Sequence, residues 1–60
     1  MTELPILYDK LNDARRNQNV DAVKAFRCAI EATDKGDASS AAWWERQGDL
    51  CVSEVLETVQ

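Results

Sequence analysis

Ser39-Ser40-Ala41-Ala42-Trp43-Trp44-Glu45-Arg46-Gln47-Gly48-Asp49-Leu50-Cys51-Val52-Ser53-Glu54-Val55-Leu56-Glu57-Thr58 is the stretch whose reading decides the fold. Its apolar residues recur at three- and four-residue steps, the spacing that stacks side chains on one face of an α-helix. At about 100° per residue, Trp44, Cys51 and Val55 share the middle of an apolar arc of about 240°, with Trp43 and Leu50 at one margin and Val52 and Leu56 on the other side. One neighbouring helix covers far less than that. The stretch therefore predicts a long helix over about 39–58 that is served by more than one partner.

The residues before it supply two shorter helices. Lys35-Gly36-Asp37 is a stop followed by a choice of caps, Asp37, Ser39 or Ser40. Upstream, Val23, Phe26, Ile30 and Thr33 predict one face of a helix over about 20–35, capped by Asn19, while Ala22, Ala25, Ala29 and Ala32 offer small surfaces for close approach. Asn17, Gln18 and Asn19 supply turn chemistry. A first helix over about 3–17 starts after Thr2 as cap, tolerates Pro5 in its first turn, and lines up Leu4, Leu7, Tyr8, Leu11 and Ala14, with Ile6 pointing away. With two glycines, one proline and no alternating pattern, the expected fold is all-α: one domain over 1–60, a helical hairpin plus a longer C-terminal helix. The first two helices cover about half of the third helix's arc, so a second copy of the chain is expected to cover the rest, most simply as a two-fold dimer.

Composition narrows the function. Seven Lys and Arg stand against eleven Asp and Glu, a net charge of −4, which is the wrong sign for a protein that coats nucleic acid. There is no His, the usual acid/base group near neutral pH and the commonest metal ligand. Cys28 and Cys51 are too few for a zinc cluster and do not form a Cys-x-x-Cys pair, and their helical phases oppose an intramolecular disulfide. Acidic pairs such as Asp34 and Asp37 or Glu54 and Glu57 read as solvated helix flanks, and no Gly-rich phosphate loop is present. No catalytic residue, cofactor or metal site is expected, and with no basic leader or membrane-length apolar run the expected location is the cytoplasm.

Charge is divided unevenly. Residues 1–30 carry a net +1 and residues 31–60 a net −5. Lys10, Arg15, Arg16, Lys24 and Arg27 form a candidate basic edge, the feature behind an alternative reading as a nucleic-acid-associated regulator. Trp43 and Trp44 diverge by about 100° and cannot enter one pocket, so one is expected in the core and the other at an interface. Phase assigns Trp44 to the core and Trp43, with Leu50, Val52 and Leu56, to the candidate interface. Cys51 is expected inside and Cys28 outside or at an interface, and Gly48 is expected to admit a close helix neighbour.

Two resemblances add to this. Asn19-Val20-Asp21-Ala22-Val23-Lys24-Ala25-Phe26-Arg27-Cys28-Ala29-Ile30-Glu31-Ala32 resembles the second helix of a tetratricopeptide repeat, with Trp44 and Gly48 at the spacing of a following helix. It departs in lacking the usual proline and in placing Gln47 where Leu is expected, and it implies helix packing alone. Leu7-Tyr8-Asp9-Lys10-Leu11-Asn12-Asp13-Ala14-Arg15-Arg16 followed by Lys24-Ala25-Phe26-Arg27 resembles small helical proteins from the early region of lambda-like temperate phages. That resemblance implies a non-enzymatic accessory or host-takeover role in the host cytoplasm, with no site residue to carry over. The expected function is a small protein-protein interaction protein whose partner is itself, an unidentified protein, or both.

Overall fold

In the computed structural model residues 3–58 are described, with side chains through residue 54, and the chain runs as three helices, α1 (Leu4–Arg16), α2 (Val20–Asp34) and α3 (Ala38–Thr58). Thr2 lies outside the described residues; Glu3 precedes α1 and makes no side-chain cap, its carbonyl accepting from the Ile6 and Leu7 N–H groups at 3.1 and 3.2 Å. The chain runs up, down and up, so α2 lies between its two neighbours and packs on both, while α1 and α3 scarcely touch. The result is a rod of 38 × 18 × 15 Å.

Both turns are three residues long and have the same construction. After α1, the Gln18 N–H bonds Arg15 O at 3.1 Å and the Asn19 N–H bonds Ala14 O at 2.9 Å; after α2, the Gly36 N–H bonds Thr33 O at 3.0 Å and the Asp37 N–H bonds Ala32 O at 2.9 Å. This paired reversal needs a left-handed residue, supplied by Gly36 at φ 80° and, against the steric preference of a side chain, by Gln18 at φ 56°. The residue that closes each turn also caps the next helix. Asp37 Oδ1 accepts from the Ser40 N–H at 3.2 Å, which settles the choice of cap and starts α3 at Ala38. Hydrogen bonds from the Ser40 side chain and then its backbone N–H hold the Asp37 carboxyl below the usual carboxylate range. A lowered folded pKa contributes stability above the ordinary carboxylate value and loses it as pH falls through the folded one.

Asn19 is the residue that joins all three helices. Its N–H bonds α1, its Oδ1 accepts from the Ala22 N–H of α2 at 3.3 Å, and its Nδ2 donates to Cys51 O of α3 at 3.4 Å. It is buried with every polar group used, as a buried amide must be. The last of these bonds ties the start of α2 to α3 at Cys51.

The core is built on small residues. Ala22, Ala25, Ala29 and Ala32 of α2 are buried with Phe26, whereas Val23, Ile30 and Thr33 on the expected face are only half-buried. Placed between two helices, α2 directs its alanines inward because they let both backbones approach. From α1 come Leu7, Leu11 and Ala14; Ile6 is exposed as expected, but Tyr8, expected in the same stripe, is 50% exposed because α1 meets one helix only and buries a narrow strip.

Among the described side chains of α3 the buried residues are Ala41 and Gly48, not Trp44. A Cβ at Gly48 would sit 2.5 Å from Phe26 Cε1, so the glycine admits the aromatic ring and fixes which side of α3 faces inward. The centre of the arc is thereby turned towards Gly48: Trp44 becomes half-buried, and Cys51 and Val52 pack against the cluster of Leu11, Ala14, Ala22 and Phe26.

Candidate functional site

Turning α3 towards Phe26 decides which of its apolar residues are left outside. Trp43 is 54% exposed and Leu50 48% exposed, two turns apart on one flank. Val52, also named from sequence as interface, is instead half-buried against the chain's own core, because it lies beside Gly48 on the inward side. Leu56 lies outside the described side chains. Trp43 lies outward, but Trp44, expected in the core, is only half-buried; their ring centroids lie 4.7 Å apart with planes at 85°, an edge-to-face contact.

Along α2 lie two grooves that share Cys28 and Glu31 in their linings. One, of about 410 Å³, is lined by Val20, Val23, Lys24, Arg27, Cys28 and Glu31 along the outer face of α2. The other, of about 270 Å³, shares Cys28 and Glu31 and continues to Lys35, Ser40 and Trp44 where α2 meets α3. Both open to solvent. Val20, at the head of the first, is 75% exposed.

The candidate basic edge is not brought together. Lys10 is drawn to α3, where its Nζ lies 2.9 Å from Glu45 and 3.1 Å from Asp49, at 6.0 Å from the centroid of the Phe26 ring. Partial burial lowers the Lys10 pKa, but the hydrogen bonds it donates to Glu45 and Asp49 and the charges of those carboxylates outweigh it and the net direction is upward. The latch is therefore intact below the ordinary lysine value of 10.5 and is lost as pH rises through the higher folded value. Arg16 pairs with Asp13 at 3.2 Å and remains with Arg15 at the carboxyl end of α1, both exposed and both suited to the helix dipole. Only Lys24 and Arg27 share a surface, the α2 groove, and neither has an ion-pair partner among the described residues.

Sequence reasoning missed the role of Lys10. The available signal was Glu45 and Asp49, one turn apart on α3, a carboxylate pair able to receive one cation from a facing helix.

The cysteines occupy different settings. Burial, and then the charges of Asp21 and Glu54, push the Cys51 thiol up, whereas Cys28 lines a groove with Lys24 and Arg27. Alkylation with iodoacetamide at pH 8, followed by peptide mass mapping, is expected to label Cys28 at least about five times faster than Cys51, since the thiolate is the reactive form. Equal rates, or a faster Cys51, would contradict this placement.

Among the described residues no group of His, Cys, Asp and Glu side chains is arranged to hold a metal ion, and no helix is long and apolar enough to cross a membrane. No protein-family model, curated protein or solved structure matches the chain.

Proposed function

We propose that this chain is a small, non-enzymatic protein-protein interaction module that works as a homo-oligomer. The observation that carries the reading is the open flank of α3: Trp43 at 54% and Leu50 at 48% exposure on one stripe. A large aromatic left in water costs apolar surface that association recovers, and tryptophan is among the residues most enriched at the centres of interfaces. The acidic balance of the second half, net −5, gives the flank a polar rim. The resemblance to early proteins of lambda-like temperate phages agrees with an accessory, non-catalytic role.

Sedimentation equilibrium at tens of micromolar is expected to return a mass above the 6.7 kDa of one chain. Trp43→Ala is expected to weaken that association by about tenfold or more, the effect of losing an interface aromatic, while moving the thermal midpoint little. A single species at 6.7 kDa for the parent protein, or unchanged association in the variant, would defeat the reading. The unpaired Lys24 and Arg27 favour a second reading, a nucleic-acid-associated regulator, and retention on DNA that falls steeply with salt would select it.

A further inference from the structure

Of two turns built alike, the one after α1 is the more strained. Each needs one left-handed residue; the second uses Gly36 at φ 80°, whereas the first uses Gln18 at φ 56°, where a side chain meets the steric cost that glycine escapes. No Pro or Gly enforces a break there, since the run from Ile6 to Lys35 has neither.

The spacing of the inward residues is an independent observation. Counted from Gln18, Ala14 and Ala22 lie four residues before and after, Leu11 and Ala25 seven, Leu7 and Ala29 eleven, and Leu4 and Ala32 fourteen. Leu4 is half-buried and the other seven are buried. Lys10 and Phe26, eight before and eight after, keep the same mirror, with the Lys10 Nζ 6.0 Å from the centre of the Phe26 ring. An antiparallel hairpin produces mirrored pairs, but it leaves the phase across its turn free. Here the phases agree: at about 100° per residue, all eight residues lie within about 40° of Gln18 once residues 17–19 continue the helix. One helix from Leu4 to Asp34 then carries a single stripe centred on Gln18. Two such helices, antiparallel about a two-fold axis at Gln18, remake every pair of the α1–α2 seam between copies. Lys10 of one copy reaches Phe26, Glu45 and Asp49 of the other, and Gln18, exposed at the turn, meets the partner's Gln18 amide to amide. The Asn19 cap on the Ala22 N–H is given up, and a helical backbone bond replaces it.

We infer that the chain dimerises by exchanging α1: each copy straightens at residues 17–19 and lays its α1 in the seam that the other copy's α1 leaves. The occupant is a second copy because the seam is already shaped for α1, and release of the positive φ at Gln18 favours opening a short, strained hinge. The inference rests on the homo-oligomer reading above but not on its α3 flank, which the exchange leaves open.

Reversing the Lys10 latch tests this. Lys10→Glu and Glu45→Lys/Asp49→Lys each bring like charges together and are each expected to weaken self-association about tenfold or more in sedimentation equilibrium. Mixed in equal amounts, they are expected to form a one-to-one heterodimer in native mass spectrometry, with affinity within a few-fold of the parent. In an exchanged pair both latches join one variant to the other and are again opposite in sign; without exchange each latch stays within its own chain and mixing restores nothing. Gln18 gives a second readout that leaves the latch alone, and it decides the matter if a reversed variant stays unfolded even in the mixture. Gln18→Gly relieves the closed turn and weakens the long helix, so association is expected to fall about tenfold or more. Gln18→Leu puts an apolar residue at the axis and is expected to strengthen association by about tenfold. Folded variants that fail to recombine, or Gln18 variants that leave association unchanged, would overturn the exchange, and a parent dimer that Trp43→Ala still weakens would leave the flank reading standing. Recombination in a dimer indifferent to Trp43→Ala would support the exchange and defeat the flank. A monomeric parent would overturn both.

Discussion

Phe26→Ala is expected to leave the chain largely unfolded at 25 °C. The ring is 1% exposed, lies against Gly48 of α3, and has Lys10 of α1 above it, so all three helices converge on it. Removing a buried aromatic costs about 3–5 kcal/mol. A domain of sixty residues has only about 3–9 kcal/mol to lose. The void opens between backbones held apart by their own alanines, so it has little means of collapsing. Thermal melts followed at 222 nm would check this; a midpoint lowered by less than about 10 °C would mean that the ring is not the keystone of the core.

Gly48→Ala tests the same contact from the other side, and its interest lies in the sign. An alanine in place of a helical glycine normally stabilises by about 1 kcal/mol. Here the added Cβ would lie 2.5, 2.7 and 2.8 Å from Cε1, Cζ and Cδ1 of Phe26, and a ring buried on every side has nowhere to swing. Overpacking of this kind costs about 1–3 kcal/mol, so the variant is expected to be destabilised. Gly48→Leu is expected to separate α3 from α2 altogether. Combining Gly48→Ala with Phe26→Leu is expected to recover part of the loss, giving a non-additive cycle, as groups in contact do. Urea denaturation of the four proteins reads the result; a stabilised Gly48→Ala would show that α3 lies farther from α2 than described.

These contacts also show what the sequence made legible. Local chemistry was readable: Asn19 as a cap, Gly36 as a stop, Ile6 as an outward residue, the alanines as surfaces of close approach. Each depends on the residue and its nearest neighbours in the chain. The orientation of α3 was not readable from its apolar arc, because averaging over large residues points the helix at Trp44, whereas the helices meet where the side chains are smallest, at Ala41 and Gly48. That error displaced Val52 as well, from the proposed interface to the edge of the core. Tyr8 failed for a related reason: the periodicity gave a stripe but not its width, and α1 has only one neighbour to cover it. The chain gives Lys10 no local mark that separates it from the other cations, because its partners are 35 and 39 residues away. Trp43 and Leu50, in contrast, were expected at the margin of the arc and are exposed, since turning the helix towards Gly48 moves them farther out.

The thin attachment of α1 bears on how the molecule comes apart. Apart from its seam with α2, α1 meets α3 where Cys51 and Val52 pack against the cluster that holds Leu11 and Ala14, and through the ion pairs of Lys10, whose side chain is 33% exposed. Local opening begins where few buried contacts must be broken. The amides of α1 are therefore the first to exchange with deuterium by a sub-global route, while α2 and α3 remain a closed hairpin. That hairpin holds Trp43 and Leu50, the exposed residues of the proposed α3 interface. Under the proposed reading, association through that flank therefore outlasts the first step of unfolding, and raising the pH past the lysine latch loosens the α1 arm before it loosens the flank contact.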